Sequence, residues 1–72
     1  MTYDEAVAIQ RRHEARIMSL AGVNAIGVKL RGDRFVLEVS VDPDATVPAE
    51  LAGGSDLDGL PLVVEHGRYE PQ

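Results

Sequence analysis

Residues 23–41 read VNAIGVKLRGDRFVLEVSV. On both sides of Gly32-Asp33 the apolar residues fall at every second position, which is the period of a β-strand. A two-residue break of this kind between two alternating runs predicts a β-hairpin with a type I′ or II′ turn, where glycine supplies the positive φ. So short a turn also fixes the register. It sets Leu30 opposite Phe35, Val28 opposite Leu37, Ile26 opposite Val39 and Asn24 opposite Val41. The other face then carries Lys29 opposite Val36, Gly27 opposite Glu38 and Ala25 opposite Ser40. The apolar pairs all fall on one face, so turn chemistry and side-chain pattern agree.

On the N-terminal side of the hairpin, Thr2-Tyr3-Asp4-Glu5 has the spacing of a capping box, in which Thr2 and Glu5 each satisfy the other's backbone amide. Asp4 and Glu5 also suit the positive end of a helix dipole. Nothing breaks a helix from Tyr3 to Ala21, and Gly22 is placed to end it. At 100° per residue Ala6, Val7, Ile9, Gln10, His13, Ile17, Met18 and Leu20 fall on one broad arc, with Asp4, Glu5, Arg11, Arg12, Arg16 and Ser19 opposite. That arc needs a surface to cover it.

On the C-terminal side, Asp42-Pro43-Asp44 ends the second strand, because proline cannot donate to a ladder. Residues 42–58 form an acidic connection. Within it, Pro48-Ala49-Glu50-Leu51 suits one helical turn, and Gly53-Gly54-Ser55-Asp56 is the loosest stretch. A third strand follows at about 60–65 with Leu62 and Val64 inward. It pairs either with the first strand, using the connection as a crossover, or antiparallel beside the second. Residues 67–72 show no pattern and are expected to fray, with Tyr69 able to pack back. The expectation is one α+β domain over 1–72, a two-layer sandwich of one helix on a three-stranded sheet. Its core is Val7, Ile17, Leu20, Ile26, Val28, Leu30, Phe35, Leu37, Val39, Leu62 and Val64.

Composition limits what such a domain does. Seventy-two residues bury only about 60% of the surface the unfolded chain exposes, so the core is thin. There are no cysteines to form disulfides or thiolate sites. The net charge is −5 and three residues are aromatic, which argues against a nucleic-acid partner. No apolar run reaches the length of a membrane span, and the N-terminus lacks a signal-peptide pattern. The expected location is therefore cytoplasmic, with no membrane partner. Charge is uneven. Residues 1–34 hold six Lys/Arg and four Asp/Glu, and residues 35–72 hold one Arg and eight Asp/Glu.

Several strings resemble chemical motifs and fail on spacing. Arg31-Gly32-Asp33 is the tip the hairpin register requires, not an adhesion tripeptide. His13-Glu14 opens like a zinc-protease helix, but position 17, where a second His would share the metal, is Ile. His66 is the only other histidine, short of the three ligands of a catalytic zinc site. His13, on the apolar arc, reads as a core or rim residue with one hydrogen bond. Asp42, Asp44, Asp56 and Asp58 do not form a calcium loop, because Val47 and Pro61 stand where the glycine belongs. Ser19, Ser40 and Ser55 lack a nucleophile elbow or a base at a recognisable spacing. Gly22 and Gly27 precede a strand, so no helix terminus is there to receive a phosphate. No catalytic, metal or cofactor-binding residue is assigned, and no cofactor is expected.

Leu20-Ala21-Gly22-Val23-Asn24-Ala25-Ile26-Gly27-Val28 resembles an L-x-G-V-x-x-I/V-G-V stretch that follows an Arg/His/Glu-rich helix in certain bacterial proteins. Leu57-Asp58-Gly59-Leu60-Pro61-Leu62-Val63-Val64 resembles their later L/I-D-G-V-P-V-x-V strand. The family is the small helix–strand–strand–strand segment ahead of trypsin-like serine peptidase domains, and the resemblance covers most of residues 5–67. In that family the catalytic triad belongs to the peptidase domain, which residues 1–72 do not contain. The resemblance thus implies a non-catalytic module and carries over no catalytic residue.

The expected function follows. One helix covers one side of the sheet, and the other side presents Ala25, Gly27, Val36, Ser40 and Val63, flanked by Lys29, Glu38 and Glu65. Small and β-branched residues let another surface approach closely. The expectation is a protein-binding or regulatory module, which the resemblance ties to a serine peptidase, with the open face or an edge strand as its interface. The alternative is a structural homo-oligomer, most simply a homodimer, or a subunit of a larger assembly.

Overall fold

Helix α1 (Tyr3–Met18) begins where Thr2 and Glu5 close its open end. In the computed structural model, which describes residues 1–52 and 56–67, the Glu5 amide donates to the Thr2 hydroxyl (3.1 Å). The Thr2 amide donates to the Glu5 carboxylate (2.8 Å). Two of the four amides left free at a helix start are satisfied this way. The helix stops three residues short of the expected Ala21. Ser19 is the cause: its hydroxyl donates to the Arg16 carbonyl (2.7 Å), and the next amide, of Leu20, turns back to Ile17 (3.0 Å). The ladder tightens to i−3 and ends. Gly22 lies in the following turn into β1 (Val23–Arg31). Its φ is +85°, and a Cβ there would lie 2.7 Å from that of Ala45. Backbone conformation and a close neighbour both require glycine at this position.

Strand β1 pairs antiparallel with β2 (Arg34–Val41). Positive φ occurs at Gly32 and not at Asp33, as a II′ turn needs. The expected pairs from Leu30–Phe35 to Ala25–Ser40 are all present. The register changes only at the far end, where Val41 pairs with Val23 and not with Asn24. Asn24 is the extra residue of a bulge. Its side-chain amide donates from Nδ2 to Asp42 Oδ1 (3.0 Å) and to the Gly67 carbonyl (2.7 Å).

After β2 the chain forms the one-turn helix α2 (Ala49–Ala52), then β3 (Asp56–Leu57) and β4 (Leu60–His66). Sheet order is β1-β2-β4-β3. The strand expected at 60–65 therefore lies beside β2, but parallel to it, with Leu37 beside Leu62 and Val39 beside Val64. Neither expected placement is correct. Residues 42–59 are long enough for the crossover a parallel neighbour needs, and α2 sits within it as helices do in such units. Strand β3 was not expected. It makes a short antiparallel hairpin with β4 through Asp58-Gly59, both at positive φ (52° and 91°), the signature of a I′ turn. The frayed tail was expected to start at residue 67. Gly67 is instead held, with its amide on the Val41 carbonyl (2.8 Å) and its carbonyl accepting from Asn24 and Ser40. The expectations for residues 53–55, 68–72 and Tyr69 lie outside the described residues.

The core joins Ala6, Ile9 and Ile17 of α1 to Leu37 and Val39 of β2, Leu51 of α2 and Leu60 of β4. Helix α1 lies over β1 and β2, and α2 lies against β4. Ala6 is fully buried while Val7 is only partly so, so the small residue makes the closest approach to the sheet. Leu30, expected in the core, is 62% exposed. The Tyr3 ring packs edge-on against Phe35, centroids 5.9 Å apart, on the strand next to Leu30, which is left at the rim of the edge strand. Among the described residues no helix is long and apolar enough to cross a membrane.

Candidate functional site

Strand alternation sends Ala25, Gly27, Lys29 and Arg31 of β1 away from α1, together with Arg34, Val36, Glu38 and Ser40 of β2 and Val63 and Glu65 of β4. The five residues expected at an interface thus share one face. They are not equally available. Ala25, Gly27 and Ser40 floor a shallow depression of about 250 Å³, edged by Lys29, Glu38 and Glu65. A Cβ on Gly27 would meet nothing within 4 Å, so the missing side chain creates part of this space. Val63 is half-buried. Val36 is 7% exposed, which alternation alone does not explain.

Arg31 explains it. This residue stands beside Arg34 at the hairpin end, yet its guanidinium donates to Glu38 Oε2 (3.0 Å) and to Glu65 Oε1. To reach them its aliphatic stem must run along the face past Val36, between Arg34 and Glu38. Long basic side chains often cover apolar surface this way. The hydrogen bonds to Glu38 and then to Glu65 raise the guanidinium pKa further above its ordinary value. All three groups touch solvent, so the link adds little stability. Its effect is to fix one side chain across three strands.

One end of the face is closed by the bulge. Ser40 Oγ donates to the Gly67 carbonyl (3.0 Å), beside the Asn24 amide. Asn24 Oδ1 is buried and has no hydrogen-bond partner among the described residues. The reversed amide would set that oxygen against the Asp42 carboxylate and the Gly67 carbonyl, so the orphaned acceptor is the lesser cost.

A second polar cluster lies on the helix side. Arg12 Nη1 donates to Asp58 Oδ2 (2.8 Å). Arg16 Nη2 donates to His13 Nδ1 (3.1 Å), so the His13 proton sits on Nε2 and is donated to the same Asp58 oxygen (3.1 Å). The His13 hydrogen bond, with the Arg12 charge behind it, holds the Asp58 carboxyl below its ordinary range against a smaller opposing effect of desolvation. An Asp–His pair suggests a triad, but a triad histidine turns its other nitrogen to a nucleophile. Here that nitrogen faces a guanidinium. The cluster ties α1 to the β3–β4 turn. His13 makes two hydrogen bonds where its place on the apolar arc implies one; the signal for the second is Asp58-Gly59, a turn dipeptide that sets the carboxylate beside the helix.

His66 Nε2 donates to the Ala45 carbonyl (3.2 Å), and among the described residues no three His, Asp or Glu side chains gather as metal ligands would. An apolar concavity of about 310 Å³ lies beside α2, lined by Val47, Leu51, Ala52, Leu62 and Val64. It exists because α1 covers β1 and β2, leaving one helical turn to cover β4. Compared with known proteins, the chain matches no family model, no curated protein and no solved structure.

Proposed function

We propose that the chain is a cytoplasmic protein-binding module with no catalytic chemistry of its own, and that it meets its partner through the sheet face opposite α1. The supporting observation is the floor at Gly27, where open space lies between the charges of Lys29, Glu38 and Glu65. A partner that lowers one side chain over Gly27 gains close backbone approach, and the charged margin sets its orientation. The fixed Arg31–Glu38–Glu65 array supports this reading, because groups already held in place lose less entropy on binding. The resemblance of residues 20–28 and 57–64 makes a trypsin-like serine peptidase the first partner to try.

The chain has a single lysine, Lys29, so an amine-reactive cross-linker reports this face and the N-terminus alone. A partner cross-linked through Lys29 is expected to be lost in Gly27→Arg and in Val63→Arg, with a cooperative thermal melt retained. Gly27→Arg fills open space without adding a reactive amine and should leave the fold intact. Binding that survives both variants would refute the face as the interface.

A further inference from the structure

Strand β1 pairs on one side only among the described residues. Arg31 and Arg34 flank the two-residue turn, so they and every second pair from them exchange the ladder hydrogen bonds: Lys29–Val36, Gly27–Glu38 and Ala25–Ser40. The N–H and C=O groups of Ile26, Val28 and Leu30 therefore point outward from the sheet. An edge of this kind is a template for another strand.

We propose that the outer edge of β1 pairs antiparallel with the β1 edge of a second copy, centred on Val28, giving one continuous sheet across a two-fold axis. Three observations choose this occupant and register. First, the bulge lies between Val23 and Ala25, so the regular part of the strand is Ala25–Arg31, and Val28 is its midpoint. Centring there sets Val28 against Val28 and Ile26 against Leu30 of the other copy, and all outward groups of all three residues find partners. A centre at Gly27 pairs Leu30 with the bulge, and a centre at Lys29 opposes two lysines directly, which costs stability. Second, Lys29 of each copy then stands opposite Gly27 of the other. Its stem crosses the open space above that glycine toward Glu38, the β2 neighbour of Gly27. Charge complementarity is thus met twice by symmetry. Third, Leu30, 62% exposed in the single chain, gains an apolar neighbour in Ile26. Lysine on an edge strand commonly blocks pairing; here its position rejects one register and suits another.

The edge is a different surface from the face proposed above, and the two are tested apart. Sedimentation of the full chain from micromolar to millimolar concentration should show a monomer–dimer equilibrium. In the dimer the Ile26, Val28 and Leu30 amides should exchange slowly with deuterium, and they should lose that protection on dilution. Leu30→Glu, at an exposed side chain on the helix side, should keep the monomer's melt and raise the dimer dissociation constant about tenfold or more, since symmetry counts each lost pair twice. Val63→Lys, away from this edge, should leave dimerisation unchanged. A chain that stays monomeric at millimolar concentration overturns the proposal. So does a dimer in which these three amides exchange freely, or one that Val63→Lys disrupts and Leu30→Glu does not.

Discussion

Truncating Leu37 to alanine removes a fully buried side chain from the centre of the molecule. Leu37 has 0% exposure and stands on β2 between Val28 of β1 and Leu62 of β4, with α1 above. Nothing nearby is free to collapse into the gap, because both flanking strands are fixed by their own registers. A Leu→Ala change at such a site costs about 2–5 kcal/mol. A chain of this length has about 4–11 kcal/mol in total, at 0.05–0.15 kcal/mol per residue. The variant should therefore lose roughly half its stability. The assay is urea unfolding followed by far-ultraviolet circular dichroism. With a slope of about 1 kcal/mol per molar for a domain this small, the midpoint should fall by about 2–5 M, or the transition should vanish. Leu30→Ala is the control. Sequence alternation puts both leucines on one face, yet Leu30 is largely exposed, and surface changes stay within about 0.5 kcal/mol. If Leu37→Ala and Leu30→Ala shift the midpoint equally, the assignment of the core is wrong.

Acid should loosen the chain in a defined direction. The Asp58 and Glu5 carboxyls both lie below their ordinary values, Asp58 chiefly through His13 and Glu5 through Thr2. Their stabilisation is complete above the usual carboxylate pKa of about 4 and is lost as pH falls through the depressed values. Urea midpoints measured from pH 7 to pH 2 should decline at the acid end, and Asp58→Asn should flatten part of that decline; an unchanged slope would remove Asp58 from the account. Two glycines should respond in opposite ways to alanine. Gly22→Ala should cost about 1–3 kcal/mol for the positive φ alone, before the contact with Ala45. Gly27→Ala should gain about 0.5–1 kcal/mol, and equal melting temperatures for the two variants would contradict the geometry at both sites.

The hairpin was legible because a two-residue turn and a period of two are both local, and either alone implies the register. Its one error, at Asn24, came from a bulge, which inserts a residue without changing composition. The parallel placement of β4 was not legible, since the path of residues 42–59 decides it and no short-range pattern encodes a path. The β3–β4 hairpin was missed for a different reason. Asp58-Gly59 carries the strongest two-residue turn signal, but the strand before it has only Asp56 and Leu57, too few to show alternation. On the open face, alternation found the right residues and could not find their exposure. Val36 is 7% exposed on the face that Arg31 must cross to reach Glu38, and a strand pattern assigns a long arginine to its own position, not to where its stem lies.

The mixed pairing of β2 has a kinetic consequence. Its antiparallel partner is two residues away through Gly32-Asp33, and hairpins of this kind close in about 1–10 μs. Its parallel partner β4 lies beyond residues 42–59, and ordering that crossover carries a larger entropic cost before any contact offsets it. Chain entropy thus favours α1 settling on the β1–β2 hairpin before β4 docks and Asp58 closes against Arg12 and His13. The same order reversed describes local opening: release of β4 bares one side of β2 while the hairpin and helix stay together. The strand that contributes most to the core is the one enclosed last on folding and uncovered first on opening.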